Sequence, residues 1–236
     1  MPRLLLAIFS HRTLALARWD LGLLGARLRG ALTGQRAKLR RFVAAREAPV
    51  LLNLGAGPRG IEDAHWVNVD GAPDRGVQFL VDFGRPLPFD DGVFDGVFCE
   101  HVLEHFTQTD GERLAREVRR ILKPGGVLRV IVPDAEFVLR SYFEAPAALA
   151  AERSGGEGTA MEAVNAYFRQ RYEHQFMYDW PTLSLTLRRA GFGGIRRSCF
   201  RDSAGCARLR IDDEKYARES LYVEATAARD GDAPAS

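Results

Sequence analysis

The chain reads as an α/β protein built on a mostly parallel sheet, and three observations predict it. Short apolar runs alternate with helical stretches from Val50 onward. Such alternation implies parallel strands joined by crossovers, with the sheet covered on both faces. The first run ends in a glycine turn, Gly55, Gly57 and Gly60, at the spacing of a dinucleotide-binding fingerprint.

The elements follow in order. Residues 50–54 (VLLNL) read as a buried strand, 66–70 (WVNVD) as a second, 79–83 (FLVDF) as a third and 93–99 (VFDGVFC) as a fourth. A helix is expected over 107–122, with Leu114, Val118, Ile121 and Leu122 on one face. Asp110 or the preceding Thr serves as its N-cap, and KPGG (123–126) stops it. Residues 127–132 (VLRVIV) form a fifth strand, and a longer helical region begins after Pro133. Its middle, 144–161, is rich in Ala, Gly and Glu and is predicted to loop out. A helix over 181–192 and two late strands, 194–200 and 220–226, complete the pattern. The domain is set at 49–226, with 1–48 a basic helical extension and 227–236 a disordered tail.

With 236 residues and a 46% hydrophobic share, the chain can bury the core of one large domain. Cys99, Cys199 and Cys206 form no CxxC pair and no disulfide framework, which argues for a reducing, cytoplasmic compartment. No apolar run reaches the roughly 18–20 residues of a membrane span. The start, MPRLLLAIFSHR, is too soon interrupted by charge for a signal peptide.

Charge is unevenly spread. Residues 1–48 hold ten basic against two acidic side chains, whereas the remainder is net acidic. Within this leader Leu14, Ala17, Leu21, Leu24, Leu28 and Ala31 make one apolar stripe at helical spacing. Gly22, Gly25 and Gly30 weaken the helix by about 1 kcal/mol each, so it needs a surface. Packing on the body or on a second copy, as a homodimer, is the preferred reading. Peripheral contact with an anionic membrane at its inner face is the alternative. Nucleic acid is disfavoured, because no aromatics interleave the basic residues.

The glycine fingerprint fits a dinucleotide poorly. The acidic residue that holds a dinucleotide ribose lies about 20 residues beyond the glycines. Asp70 stands only ten beyond Gly60. The crossover 55–65 has room for one or two helical turns at most. A close backbone turn followed by a strand-end carboxylate still suits a nucleoside.

The run VDFGRPLPFDDGVFDGVFCEHVLEHF (81–106), with LKPGGVLRVIVPD (122–134), resembles class I S-adenosylmethionine-dependent methyltransferases, most closely those acting on small molecules. The likeness is strong over 50–134 and looser over 174–192. It implies a Rossmann-like, doubly wound fold of seven strands with a reversed C-terminal hairpin, and S-adenosyl-L-methionine as cofactor. It further implies that Gly55, Ala56 and Gly57 pass the methionine end and that Asp70 holds the ribose. Asp82 and Phe83 would face the adenine, and Glu100 and His101 would border the methyl-donor pocket. Asn53 departs from the acidic residue that such enzymes carry in the first strand; its amide orders the loop but lacks a charge near the sulfonium.

His101, Glu104 and His105 spell H-x-x-E-H, a zinc-peptidase signature. That motif needs a stable helix, and here the segment follows a strand directly. Some ubiquinone-pathway and small-RNA methyltransferases carry a similar E-x-x-E-H that binds a divalent ion, but His101 replaces the first Glu. The preferred reading assigns no metal: His101 lines the cofactor pocket, and Glu104 and His105 order the turn.

Methyl transfer needs positioning and, for a hydroxyl acceptor, a base; His101, His105 and His174 are the candidates. Tyr178 and Asp179 could bind a polar acceptor, and Arg169, Arg171, Arg188 and Arg189 an anionic one. The expected reaction methylates oxygen or nitrogen of a small polar molecule, with a saccharide or lipid-linked saccharide the first guess from resemblance. A nicotinamide oxidoreductase, a cofactor-binding scaffold and an RNA methyltransferase are the rivals.

Overall fold

The computed structural model describes residues 34–154 and 158–228, together with Leu24. The leader stripe, Leu24 apart, and the tail from 229 lie outside the described residues.

Seven strands form one sheet among the described residues: β1 (Leu51–Leu54), β2 (Trp66–Asp70), β3 (Phe79–Leu80), β4 (Phe94–Glu100), β5 (Leu122–Pro133), β6 (Phe192–Arg197) and β7 (Ser220–Ala227). Their order is β3-β2-β1-β4-β5-β7-β6. The first five run parallel, and β7 is antiparallel to both β5 and β6. The doubly wound sheet with a reversed C-terminal hairpin is therefore present as expected. Its order reverses between β1 and β4, and at such a switch point the carboxyl ends of the strands open a crevice.

One face is covered by helices α1 (Gln35–Ala44), α2 (Gln108–Ile121) and α6 (Trp180–Arg189). Thr107 caps α2 by accepting from the Asp110 amide at 3.2 Å, so the Thr is the N-cap. Leu114, Val118 and Ile121 are buried against the sheet, each worth roughly 1.5–3 kcal/mol. Leu39 and Val43 tie α1, the last part of the basic extension, into the same core.

The opposite face differs. Leu51, Trp66, Phe98, Val127, Ile131 and Tyr222 pack there against Ile61, Phe200, Leu209 and Ile211, which belong to irregular connections. Tight turns without any helix make the 55–65 crossover.

Within the segment expected to loop out, 144–161, residues 146–154 are helical, and 155–157 lie outside the described residues. Helices α3 (Ala135–Glu144), α4 (Pro146–Ser154) and α5 (Ala160–Arg169) enclose a small core of Val138, Leu149, Ala163 and Tyr167. Alanine is the best helix former, so PAALAAERS needs only a packing partner to stay helical. A capping box of Thr159 and Glu162 starts α5.

Candidate active site

Two cavities meet at the carboxyl ends of the central strands. The first, of about 280 Å³, lies over β1, β2 and β4 and is lined by Asn53, Gly55, Ala56, Gly57, Asp70 and Glu100, among others. Amides of Gly55 and Ala56 both donate to the Val69 carbonyl, at 2.9 and 3.0 Å, which folds the turn back over β2. Gly55 has φ +87°, and a Cβ there would stand 2.2 Å from a Val102 methyl, so only glycine fits. Gly60 serves another purpose: a Cβ would lie 2.0 Å from the Gly76 carbonyl oxygen, so it permits two backbones to touch.

Asp70 ends β2, where one carboxylate oxygen accepts from Gly57 N and the other from Ala72 N, each at 2.9 Å. A carboxylate has about four acceptor positions, so two remain for ligand hydroxyls. Asn53 and Asn68 face each other across β1 and β2. The Asn53 amide donates to Asn68 Oδ1 at 3.1 Å and to the Arg59 carbonyl at 3.3 Å. Asn68 in turn holds both backbone groups of Ile61. The amide thus orders the glycine turn, as a carboxylate could not.

The β6–β7 connection roofs this cavity through Ile211, Asp213, Lys215 and Tyr216. Arg59 spans it, donating to Glu100 Oε2 at 2.7 Å and to the Ile211 carbonyl at 2.8 Å. Glu100 Oε1 accepts from Asp213 N at 2.9 Å, and burial raises the Glu100 pKa above the ordinary carboxylate value. Beneath the roof Arg129 of β5 is fully buried and grips the fully buried Asp212 with two nitrogens. The Asp202 and Cys199 carbonyls take further Arg129 donors, at 2.6 and 2.8 Å. This pair latches the roof to the sheet.

The second cavity, of about 320 Å³, is lined by His101, Glu104, His105, Tyr167, Gln170, His174 and Glu219, with Pro133 and Tyr216. His101 and Tyr216 line both cavities, and their rings stack with centroids 3.8 Å apart. They form the wall between the two. Gln175 N and Phe176 N donate to the Glu104 carbonyl, at 2.8 and 3.2 Å, which stitches the His174 segment beside Glu104 and His105.

Glu104 is fully buried, and its two carboxylate oxygens make no hydrogen bond. His101 Nδ1 approaches to 3.1 Å, an ion-pair distance without hydrogen-bond alignment. Burial opposes the Glu104 charge, yet the His101 and His105 rings more than offset it and hold the pKa below the ordinary value. His174 is also buried, and desolvation lowers its pKa below the ordinary imidazole value. The reading in which the Glu104 side chain orders its turn by hydrogen bonds is corrected, because no donor is aligned with it.

Of the residues named from sequence, Asn53, Gly55, Ala56, Gly57, Asp70, Glu100 and His101 share the first cavity. His101, His105 and His174 share the second. Asp82 and Phe83 line neither: Phe83 is buried in the main core, and Asp82 accepts from Gly84 N at 2.9 Å within its own turn. Tyr178 is fully buried and Asp179 caps α6, and neither lines either cavity. Arg169, Arg188 and Arg189 are exposed and line neither cavity. Sequence reading missed Arg59, inside the glycine turn itself, and Asp213, Lys215 and Tyr216, whose 198–219 connection carries no motif.

Residues 61–130 match the family model described as a methyltransferase domain. No curated protein matches the chain. Among solved structures, a chain from the complex of the Haloferax volcanii Trm112 methyltransferase activator with a candidate methyltransferase is 16% identical. It aligns with a TM-score of 0.52 over 89% of this chain and 98% of that one, a likeness of fold. An S-adenosylmethionine-dependent methyltransferase from Thermotoga maritima is 19% identical, with a TM-score of 0.46 over 86% and 95% of the two chains. One from Archaeoglobus fulgidus is 16% identical, with a TM-score of 0.45 over 86% and 98%. Residues 61–130 thus carry the likeness to a methyltransferase domain, set in a seven-stranded sheet with a reversed C-terminal hairpin.

Proposed function

We propose that the first cavity takes S-adenosylmethionine and the second a small polar acceptor, methylated on oxygen or nitrogen. The observation that carries this reading is the shared wall. A glycine turn and a strand-end carboxylate stand on one side of the His101–Tyr216 stack, and an imidazole cluster on the other. Asp70 has acceptor positions to spare for two ribose hydroxyls, and the turn at Gly55 allows close backbone approach.

The sulfonium, when bound, supplies an already activated methyl group. The chain's residues position the acceptor so that its lone pair attacks in line, while the S–CH₃ bond breaks. A hydroxyl acceptor gives its proton to the cluster of His101, His105 and His174 around Glu104. The polar residues Tyr167, Gln170 and Glu219 line the second cavity, the Tyr167 hydroxyl donating to the Glu219 carboxylate, and such a lining suits a polyhydroxylated acceptor. A saccharide or lipid-linked saccharide is therefore the first class to test.

Thermal shift with S-adenosylhomocysteine beside NAD tests the cofactor. At about 100 times its dissociation constant a ligand adds roughly 2.7 kcal/mol. A shift with S-adenosylhomocysteine alone supports the reading, and a shift with NAD alone overturns it. Binding without turnover across an acceptor panel would favour a scaffold.

A further inference from the structure

Glu104, His105 and His174 place one ligand atom each within 4.8 Å of one another. Two of them come from the turn after β4, and His174 comes from 69 positions further along the sequence. Their orientations are fixed in a particular way. His174 Nδ1 lies 2.7 Å from the Tyr167 carbonyl oxygen, and His105 Nδ1 lies 3.2 Å from that of Glu173. A carbonyl only accepts, so each ring carries its proton on Nδ1 and keeps the Nε2 lone pair. His174 Nε2 is buried without a hydrogen-bond partner, and the Glu104 oxygens have only the His101 ion pair. Imidazoles that donate one N–H to a carbonyl and leave the other nitrogen bare are how proteins prepare ligands for a metal.

We propose that Glu104, His105 and His174 form a binding site for a first-row divalent transition ion of the Zn²⁺ or Co²⁺ type. The donors decide the class: two imidazoles and one carboxylate suit these ions, whereas Mg²⁺ and Ca²⁺ prefer all-oxygen sites. The cation would join His101 in balancing a carboxylate charge that full burial opposes. His101, 3.1 Å from Glu104, stands behind the carboxylate and orients it. Three protein ligands leave coordination positions open to the second cavity. Resting on the methyl-transfer reading, the ion would lower the pKa of an acceptor hydroxyl placed there. The deprotonating role then passes from His105 and His174 to the ion.

Metal binding is tested directly on the chelator-treated full chain, without turnover. Calorimetric titration with ZnCl₂, CoCl₂ and MgCl₂ is paired with visible absorption for Co²⁺. The expected result is one equivalent of Zn²⁺ or Co²⁺ per chain, removable by chelator, with Mg²⁺ far weaker. His174→Ala and His105→Ala should each lose at least the roughly 10–100-fold in affinity that outer-shell losses cost. Should His174→Ala fail to fold, the more exposed His105→Ala carries the test, and His65→Ala is the control. No saturable binding at one equivalent overturns the proposal, as does binding that the variants leave unchanged. S-adenosylhomocysteine binding in the same samples separates the two readings. A nucleoside shift without metal binding removes the ion alone, and metal binding without the shift removes the methyl-donor assignment alone.

Discussion

The two cavities share a wall yet are built from different kinds of chain. The first is mostly local: its floor is the turn after β1, the end of β2 and the end of β4, all within residues 53–101. Backbone amides and in-register strand partners fix it, as in the Asn53–Asn68 pair. The second is assembled at long range, from His101–His105, Tyr167–His174 and Glu219. Side-chain lone pairs and a buried carboxylate fix that one. A cavity made of local backbone can be read from a motif; one made of distant side chains cannot.

The sharpest way to break this comparison is through the roof of the first cavity, its long-range part. Arg129→Met leaves the Asp212 carboxylate buried without its partner, and should cost about 3–5 kcal/mol in urea unfolding. The S-adenosylhomocysteine shift should fall with it. A loss below about 1 kcal/mol would mean that the roof is held without this latch.

Asp70→Ala tests the local part. On the proposed reading the ribose hydroxyls lose a charged acceptor worth roughly 1.5–3 kcal/mol, so calorimetric affinity for S-adenosylhomocysteine should fall about 10- to 100-fold. Zn²⁺ affinity should stay unchanged, and a parallel loss would mean that the cavities are one site.

Asn53→Asp restores the acidic residue that resembling enzymes carry, and it should weaken this protein. A carboxylate would face Asn68 Oδ1 and the Arg59 carbonyl without the N–H groups that now reach them. Roughly 1–3 kcal/mol of stability should be lost, read by urea midpoint. A gain would show that the amide is not what orders the turn.

The smallest effect lies outside both cavities. The hydrogen bond from Arg120 is the largest influence on Glu117, whose pKa lies below the ordinary carboxylate value. A depressed pKa stabilises the fold above the unfolded value of 4.5, and that contribution is lost as pH falls below it. The urea midpoint should drop on acidification below about pH 4.5, and less steeply in Glu117→Gln. Parallel curves for the two proteins would remove Glu117 from the acid response.

By itself the sequence determined the strand order's raw material: apolar runs, the Thr107 cap, the Gly55 turn and the Asp70 strand end are visible because each depends on residues within a few positions. It also placed three histidines near one another in role, though not their orientation. Local composition misled at 146–154, where Ala-rich chain became helix once α3 and α5 offered it a face. Only the tertiary structure decided that Gly60 serves a backbone contact with Gly76, that Arg129 latches a motif-free roof, and that Tyr178 and Asp179 line neither cavity. The physical reason is the same in each case. Periodicity and capping are set by neighbours in sequence, whereas a lone pair, a buried charge or a close contact has meaning only through the group that the fold brings against it.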